Sequence, residues 1–102
     1  MPTLKRFVVS ERSMTPTLLP GDGLVAIRSR RLRRGQIRVF PHPSRADFWL
    51  VKRVGDVRGR RFDARSDNPV GAVDSRQFGD VSVDVSYRVL FRVPARFSGR
   101  RA

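Results

Sequence analysis

Short β-branched and aromatic runs, punctuated by Gly, Pro, Asn and Asp, predict an all-β or mostly-β domain. The apolar runs are only a few residues long, as in Leu24-Val25-Ala26-Ile27 and Phe48-Trp49-Leu50-Val51. Turn formers interrupt the chain at Pro20-Gly21-Asp22-Gly23, Arg34-Gly35, Pro41-His42-Pro43, Gly55-Asp56, Asn68-Pro69 and Phe78-Gly79-Asp80. No stretch of helical length shows a clean apolar period, so any helix is expected to be short. The first predicted strand, 24–28, follows the Pro-Gly-Asp-Gly turn. The second, 36–40, opens after Arg34-Gly35 and closes at Pro41. The third, 48–54, is the aromatic and aliphatic run that ends at Gly55. Strands at 60–64 and 86–93 complete the set, and the polar tail at 98–102 is expected to fray.

A chain of 102 residues with 39% hydrophobic content fits one compact domain, 1–102, with one modest core. There are no cysteines, which excludes disulfides, thiol catalysis and thiolate metal sites. His42 is the only histidine, so a histidine-rich zinc site is excluded too, and no metal or cofactor is expected. A membrane-spanning helix needs about 20 apolar residues, and no run approaches that. The amino terminus offers only Phe7-Val8-Val9 after Lys5 and Arg6, too short for the apolar region of a signal peptide. The expectation is a chain neither exported nor membrane-spanning, and a cytoplasmic address fits the lack of cysteine.

The net charge of +13 predicts attraction to polyanions: nucleic acid, anionic lipid or an acidic protein. It comes from twenty arginines and two lysines spread along the chain. The plainer interpretation is a solvated, arginine-rich surface, with Arg28, Arg30, Arg31, Arg33 and Arg34 forming a turn between strands.

Three segments carry candidate chemistry. In Ser13-Met14-Thr15-Pro16-Thr17-Leu18-Leu19-Pro20-Gly21-Asp22, two prolines and a Gly-Asp turn constrain the backbone just after a serine. A serine so held can present its hydroxyl and its own backbone N–H to a substrate carbonyl; taken alone, the segment reads better as a surface loop in which Ser13 caps a turn. In Phe48-Trp49-Leu50-Val51-Lys52-Arg53-Val54, strand alternation sets Lys52 between Leu50 and Val54. Desolvation there disfavours the ammonium form and so favours the neutral amine that a general base requires and that an arginine cannot supply. The alternative is a lysine snorkelling at a strand edge. The third segment, Ser66-Asp67-Asn68-Pro69 followed by Asp74-Ser75-Arg76-Gln77-Phe78-Gly79, places Asp74 and Arg76 on one side of an extended chain, where they can pair.

Together and in this order, the segments resemble the signal peptidase family of Ser–Lys proteases. That family has a Ser-Met-x-Pro-Thr-Leu box with a nearby Pro-Gly-Asp, a strand ending in Lys-Arg-Val, and a Gly-Asp-Asn stretch running into Asp-Ser-Arg-x-Phe-Gly. Arg34-Gly35-Gln36-Ile37 is similar to its Arg-Gly-Asp-Ile/Val strand start. The resemblance implies a coiled, barrel-like antiparallel β-sheet core, shared with self-cleaving repressors. It implies Ser13 as nucleophile, Lys52 as general base and the Ser13 N–H in an oxyanion hole. Met14, Pro16, Asp67, Asn68, Asp74, Ser75 and Arg76 would support the site, with Asp74 and Arg76 as an ion pair. It further implies a protein or peptide substrate with small residues before the cut.

Three positions depart from the family. Glu11 stands where relatives carry Ser or Gly and is expected to turn outward. Ala72 replaces a serine that can hydrogen-bond the base. Ser66 replaces the usual Gly and can bring a hydroxyl nearby. The segment before the serine box holds twelve residues and no anchor, like the compact branch resembling nickel-type superoxide dismutase maturation proteases, which trim a short N-terminal propeptide. The alternatives are a self-cleaving repressor-type Ser–Lys protease and a basic, non-catalytic nucleic-acid-binding β-barrel, the latter leaving the three boxes unexplained. Peripheral contact with anionic surfaces is compatible with the charge. His42, between two prolines, is expected to be a loop residue rather than part of a Ser-His-Asp triad.

Overall fold

The structure is a computed structural model that describes residues 3–68, 70 and 78–97. Its strands are β1 (Leu4–Val8), β2 (Gly23–Arg28), β3 (Ile37–His42), β4 (Arg45–Arg58), β5 (Arg61–Arg65), β6 (Val81–Ser82) and β7 (Tyr87–Val93). They form one sheet in the order β1-β2-β7-β3-β4-β5-β6, with every described pairing antiparallel. Val83–Val85 and Ala95–Phe97 are short 3₁₀ turns. No helix among the described residues is long and apolar enough to cross a membrane.

The sheet coils. Phe7 on β1 meets Trp49 on β4 at a ring-centroid distance of 5.3 Å, although β2, β7 and β3 lie between those strands in the ladder. Tyr87 on β7 completes the aromatic cluster. The sheet does not close, and β1 and β6 are its ends. The mostly-β, coiled antiparallel fold expected from the sequence is therefore the one observed, as an open sheet rather than a barrel.

Cross-strand partners share a face, and the register sorts the core in two. Phe40 pairs with Leu50 and Arg38 with Lys52 on one face; Val39 pairs with Val51 on the other. The first face packs Phe40, Leu50, Val54, Phe62, Ala64 and Val81. The second packs Val39 and Leu24 with Val9, Met14 and Leu18. Met14 and Leu18 thus draw the loop between β1 and β2 onto the sheet.

Two buried polar residues hold the connections. Arg38 is wholly buried and donates to the Ser29 and Arg31 carbonyls, Gln36 Oε1 and Ser86 Oγ. Burial, with Arg88 nearby, lowers its pKa to about 10. The arginine-rich β2–β3 connection is therefore anchored by Arg38 and partly paired on the outside, with Arg30 on Asp84 and Arg34 on Asp56. Asp22 is buried at the other end and accepts from the backbone N–H groups of Leu19 and Ala95, with Arg92 at 3.5 Å. Beside it, Gly21 has φ +93°, and an added Cβ would lie 3.1 Å from Ala95 Cβ.

The strand pattern departs from expectation in two places. β1 and the two-residue β6 were not expected, because Leu4-Lys5-Arg6-Phe7-Val8 is short and charged and β6 is shorter still. Gly55-Asp56 is not a turn: β4 continues to Arg58 through an irregularity between Val54 and Val57, and the turn to β5 falls at Gly59-Arg60. A Cβ at Gly55 would lie 2.6 Å from Arg65 Nε, so glycine there serves a close cross-strand approach. Likewise β3 runs through Pro41 to His42, and the turn follows at Pro43-Ser44.

Asp22→Ala should lower unfolding free energy by about 1–3 kcal/mol, because it removes the buried carboxylate that accepts from the Leu19 and Ala95 N–H groups in part-buried hydrogen bonds. Urea denaturation monitored by circular dichroism measures this, and a loss below about 1 kcal/mol would show that water replaces the carboxylate.

Candidate active site

The serine box is a loop pinned from beneath and from the side. Met14 and Leu18 are buried in the second core face, and Leu18 N–H donates to the Met14 carbonyl at 2.8 Å. Thr15 turns back on Arg12 through both its N–H and its hydroxyl, and the Thr15–Pro16 peptide is cis. Ser13, 9% exposed, sits just before this turn. Among the described residues neither its Oγ nor its backbone N–H has a hydrogen-bond partner.

Ser13 opens on a cleft of about 40 Å³ whose lining includes Phe7, Val9, Glu11, Leu50 and Val51. Glu11 is exposed but lies among the cleft residues, so it is not removed from the site. On β4, Leu50 and Val51 pair with β3 on one side, while β5 covers the other side only from Arg53 onward.

Lys52 is 1% exposed, on the β4 face shared with Leu50 and Val54. Its Nζ donates to Ser66 Oγ at 2.9 Å. Continuing the Arg53–Arg65 register by one residue sets Ser66 opposite Lys52, which explains the contact. The neighbouring Arg53 projects to the other face and grips Asp67 with Nε and Nη2, each at 2.8 Å. It also donates to the Gly35 carbonyl at 2.8 Å. Thr17 Oγ1 donates to Asp67 Oδ2 at 2.7 Å. The Arg53 hydrogen bonds hold the Asp67 carboxyl below the usual carboxylate range, helped by Thr17, and Asp67 in turn raises the Arg53 pKa.

Asn68 closes the arrangement. Its backbone N–H donates to the Ser13 carbonyl at 2.8 Å, and its Nδ2 donates to the Arg12 carbonyl and Thr15 Oγ1. Three consecutive residues, Ser66, Asp67 and Asn68, therefore touch Lys52, Arg53 and the serine loop in turn.

Of the residues anticipated from sequence, Ser13, Met14 and Pro16 share one loop, Asp67 and Asn68 bind it, and Lys52 is joined to them through Ser66. Asp74, Ser75 and Arg76 lie outside the described residues, as does Ala72. Arg53 and Thr17 were not anticipated as site residues. The signal for Arg53 was its place beside Lys52, on the face toward the serine loop; that for Thr17 was visible only once Asp67 was placed. Among the described residues His42 meets none of the candidate site residues: its ring stacks on Phe48 and meets Phe78 edge-on, and its Nδ1 accepts from Ser44 N–H. Among the described residues no cluster of acids and histidine suits a metal ion.

The Asp67 carboxyl has a folded pKa below its unfolded value of about 3.9, so its stabilising contribution is present above that value and lost as pH falls through the folded one. Asp67→Asn should therefore lower the melting temperature at neutral pH, with the difference from wild type shrinking as pH falls below the unfolded carboxyl value of about 3.9. A pH-independent difference in thermal melts would place the effect in packing rather than in the ion pair.

The family model for signal peptidase, peptidase S26, matches residues 2–70, from β1 through the clamp at Ser66-Asp67-Asn68. Comparisons with curated proteins and with solved structures give no significant match. With well over half the chain inside the match, including both the serine box and the Lys-Arg-Val strand, the protein belongs to the peptidase S26 family of signal-peptidase-like proteases.

Proposed function

We propose that the protein is a serine endopeptidase in which Ser13 is the nucleophile and Lys52 the general base, removing a short N-terminal segment from a protein substrate. One observation carries this: the same three-residue segment holds the Ser13 backbone through Asn68 and the Lys52 amine through Ser66. Burial favours the neutral amine that a base must present. The Ser13 N–H, without a hydrogen-bond partner among the described residues, suits an oxyanion donor, and the side of β4 at Leu50 and Val51 that β5 does not cover suits an extended peptide laid along the cleft.

The reaction is acyl transfer. Lys52 takes the Ser13 hydroxyl proton as Oγ attacks the scissile carbonyl, and the Ser13 N–H meets the developing oxyanion. Lys52 then returns the proton to the leaving amine as the C–N bond breaks. Water, deprotonated by Lys52, hydrolyses the Ser13 ester and restores both groups. The narrow cleft, walled by Phe7, Leu50 and Val51, favours small side chains before the cut. Resemblance to the compact family branch supports the propeptide of a nickel-type superoxide dismutase precursor as the substrate.

Ser66 is a positioning residue in this mechanism, because it touches the base and not the scissile bond. Ser13→Ala and Lys52→Arg should each lower cleavage of a diverse peptide library, read by mass spectrometry, by at least about a hundredfold. Ser66→Ala should lower kcat by about tenfold with KM little changed, and Ser66→Thr should restore most of it. A folded, fully active Lys52→Arg protein would rule Lys52 out as the base.

A further inference from the structure

Glu11 is the single glutamate of the chain. Among the described residues, every aspartate but Asp47 accepts a hydrogen bond or pairs with an arginine. Glu11 does neither, although the chain carries twenty arginines and one of them, Arg12, is its neighbour. It is exposed, lines the Ser13 cleft, and is the one charged side chain among the described residues of that lining. Apart from Ser10 and Ser13 the remaining wall is apolar, with Phe7, Leu24, Trp49 and Val51 among its members.

We propose that Glu11 is a specificity-determining residue that selects substrates carrying a lysine or arginine side chain close to the scissile bond. The inference rests on the protease reading of the same cleft. In a chain of net charge +13 the overall field repels cations, so a preference for one has to arise locally. A cleft carboxylate that no arginine neutralises is such a local source. One carboxylate is too few ligands for a divalent metal ion, which takes several oxygens, but it matches a single ammonium or guanidinium. The apolar wall accepts the aliphatic stem of a lysine or arginine while the charged head stays at the solvated rim.

The pair acts on the chemistry as well as on binding. Attack by Ser13 puts negative charge on the former carbonyl oxygen, and a bare Glu11 carboxylate lining the same cleft repels it. A substrate cation seated on Glu11 cancels that repulsion. Cationic substrates are therefore favoured in the transition state, and the discrimination appears in kcat as well as in KM.

The test uses isomeric peptides, capped at both ends, in which one lysine is walked along an otherwise fixed alanine-rich sequence. Composition and net charge are then the same in every peptide, and only position varies. Fluorescence anisotropy with the full-chain Ser13→Ala protein reads binding without turnover, and mass spectrometry reads cleavage by protein that keeps Ser13. One lysine position should be bound, and cleaved, at least about tenfold better than the others. Glu11→Gln should flatten this preference in both assays, and Glu11→Asp should keep most of it. Glu11→Gln should also raise kcat about threefold on a peptide with norleucine in place of lysine, a gain that damaged structure would not produce. Because Glu11 is exposed, circular dichroism should report a native fold in each variant. Ser13-dependent cleavage with no preferred lysine position, or a preference that survives Glu11→Gln, overturns the inference and leaves the protease reading standing. A Glu11-dependent preference in binding, without Ser13-dependent cleavage of any peptide, overturns the protease reading and supports Glu11 as the cation-selecting residue. Uniform binding with no Ser13-dependent cleavage overturns both.

Discussion

The Arg53–Asp67 ion pair is the joint on which the site's geometry depends. Strand alternation on β4 sends Lys52 into one face of the sheet and Arg53 toward the other. A pairing of Arg53 Nε and Nη2 with the two Asp67 oxygens fixes position and orientation together, as a fork-to-fork contact does. Once Asp67 is held, its neighbours have little freedom: Ser66 faces Lys52, and Asn68 reaches the Ser13 carbonyl. The pair is partly solvated, so its direct contribution to stability is small. Its consequence is registration of the loop that carries Ser13 with the strand that carries Lys52.

That registration explains why so small a domain places polar groups in its interior. Lys52, Arg38, Asp22 and Ser86 are buried, and each joins segments distant in sequence. Arg38 ties β3 to the β2–β3 connection and to β7, while Asp22 ties the serine loop to the chain after β7. Apolar side chains do the complementary work: Met14 and Leu18 fasten the loop carrying Ser13 onto the second core face. A loop of this length could not hold Ser13 steady by backbone preference alone, since fixing each residue costs about 1–2 kcal/mol in conformational entropy.

Much of this was legible in the residues. β2, β3, β5 and β7 follow the β-branched and aromatic runs closely, because those runs are half-buried surfaces whose alternation survives in the fold. The serine box, the buried lysine and Asp67-Asn68 were also visible as constrained or chemically distinctive segments. β1 was not, because its inward side contributes little beyond Phe7 while Lys5 and Arg6 give it the look of a solvated end. The extension of β4 past Gly55 was hidden because glycine marks both turns and close cross-strand approaches, and only the Arg65 contact tells them apart. Arg53 and Thr17 were missed for a different reason. Their roles exist only in relation to Asp67, fourteen and fifty residues away, and the sequence offered no more than the place of Arg53 beside Lys52.

The central claim is that Ser13 itself becomes acylated. The most direct measurement is acid-quenched incubation with an activated peptide ester, followed by proteolytic mapping of the adduct by mass spectrometry. The account predicts a transient acyl group on the peptide containing Ser13, absent from Ser13→Ala and longer-lived when Lys52 is replaced. An adduct on any other residue, or turnover that persists in Ser13→Ala, would contradict it.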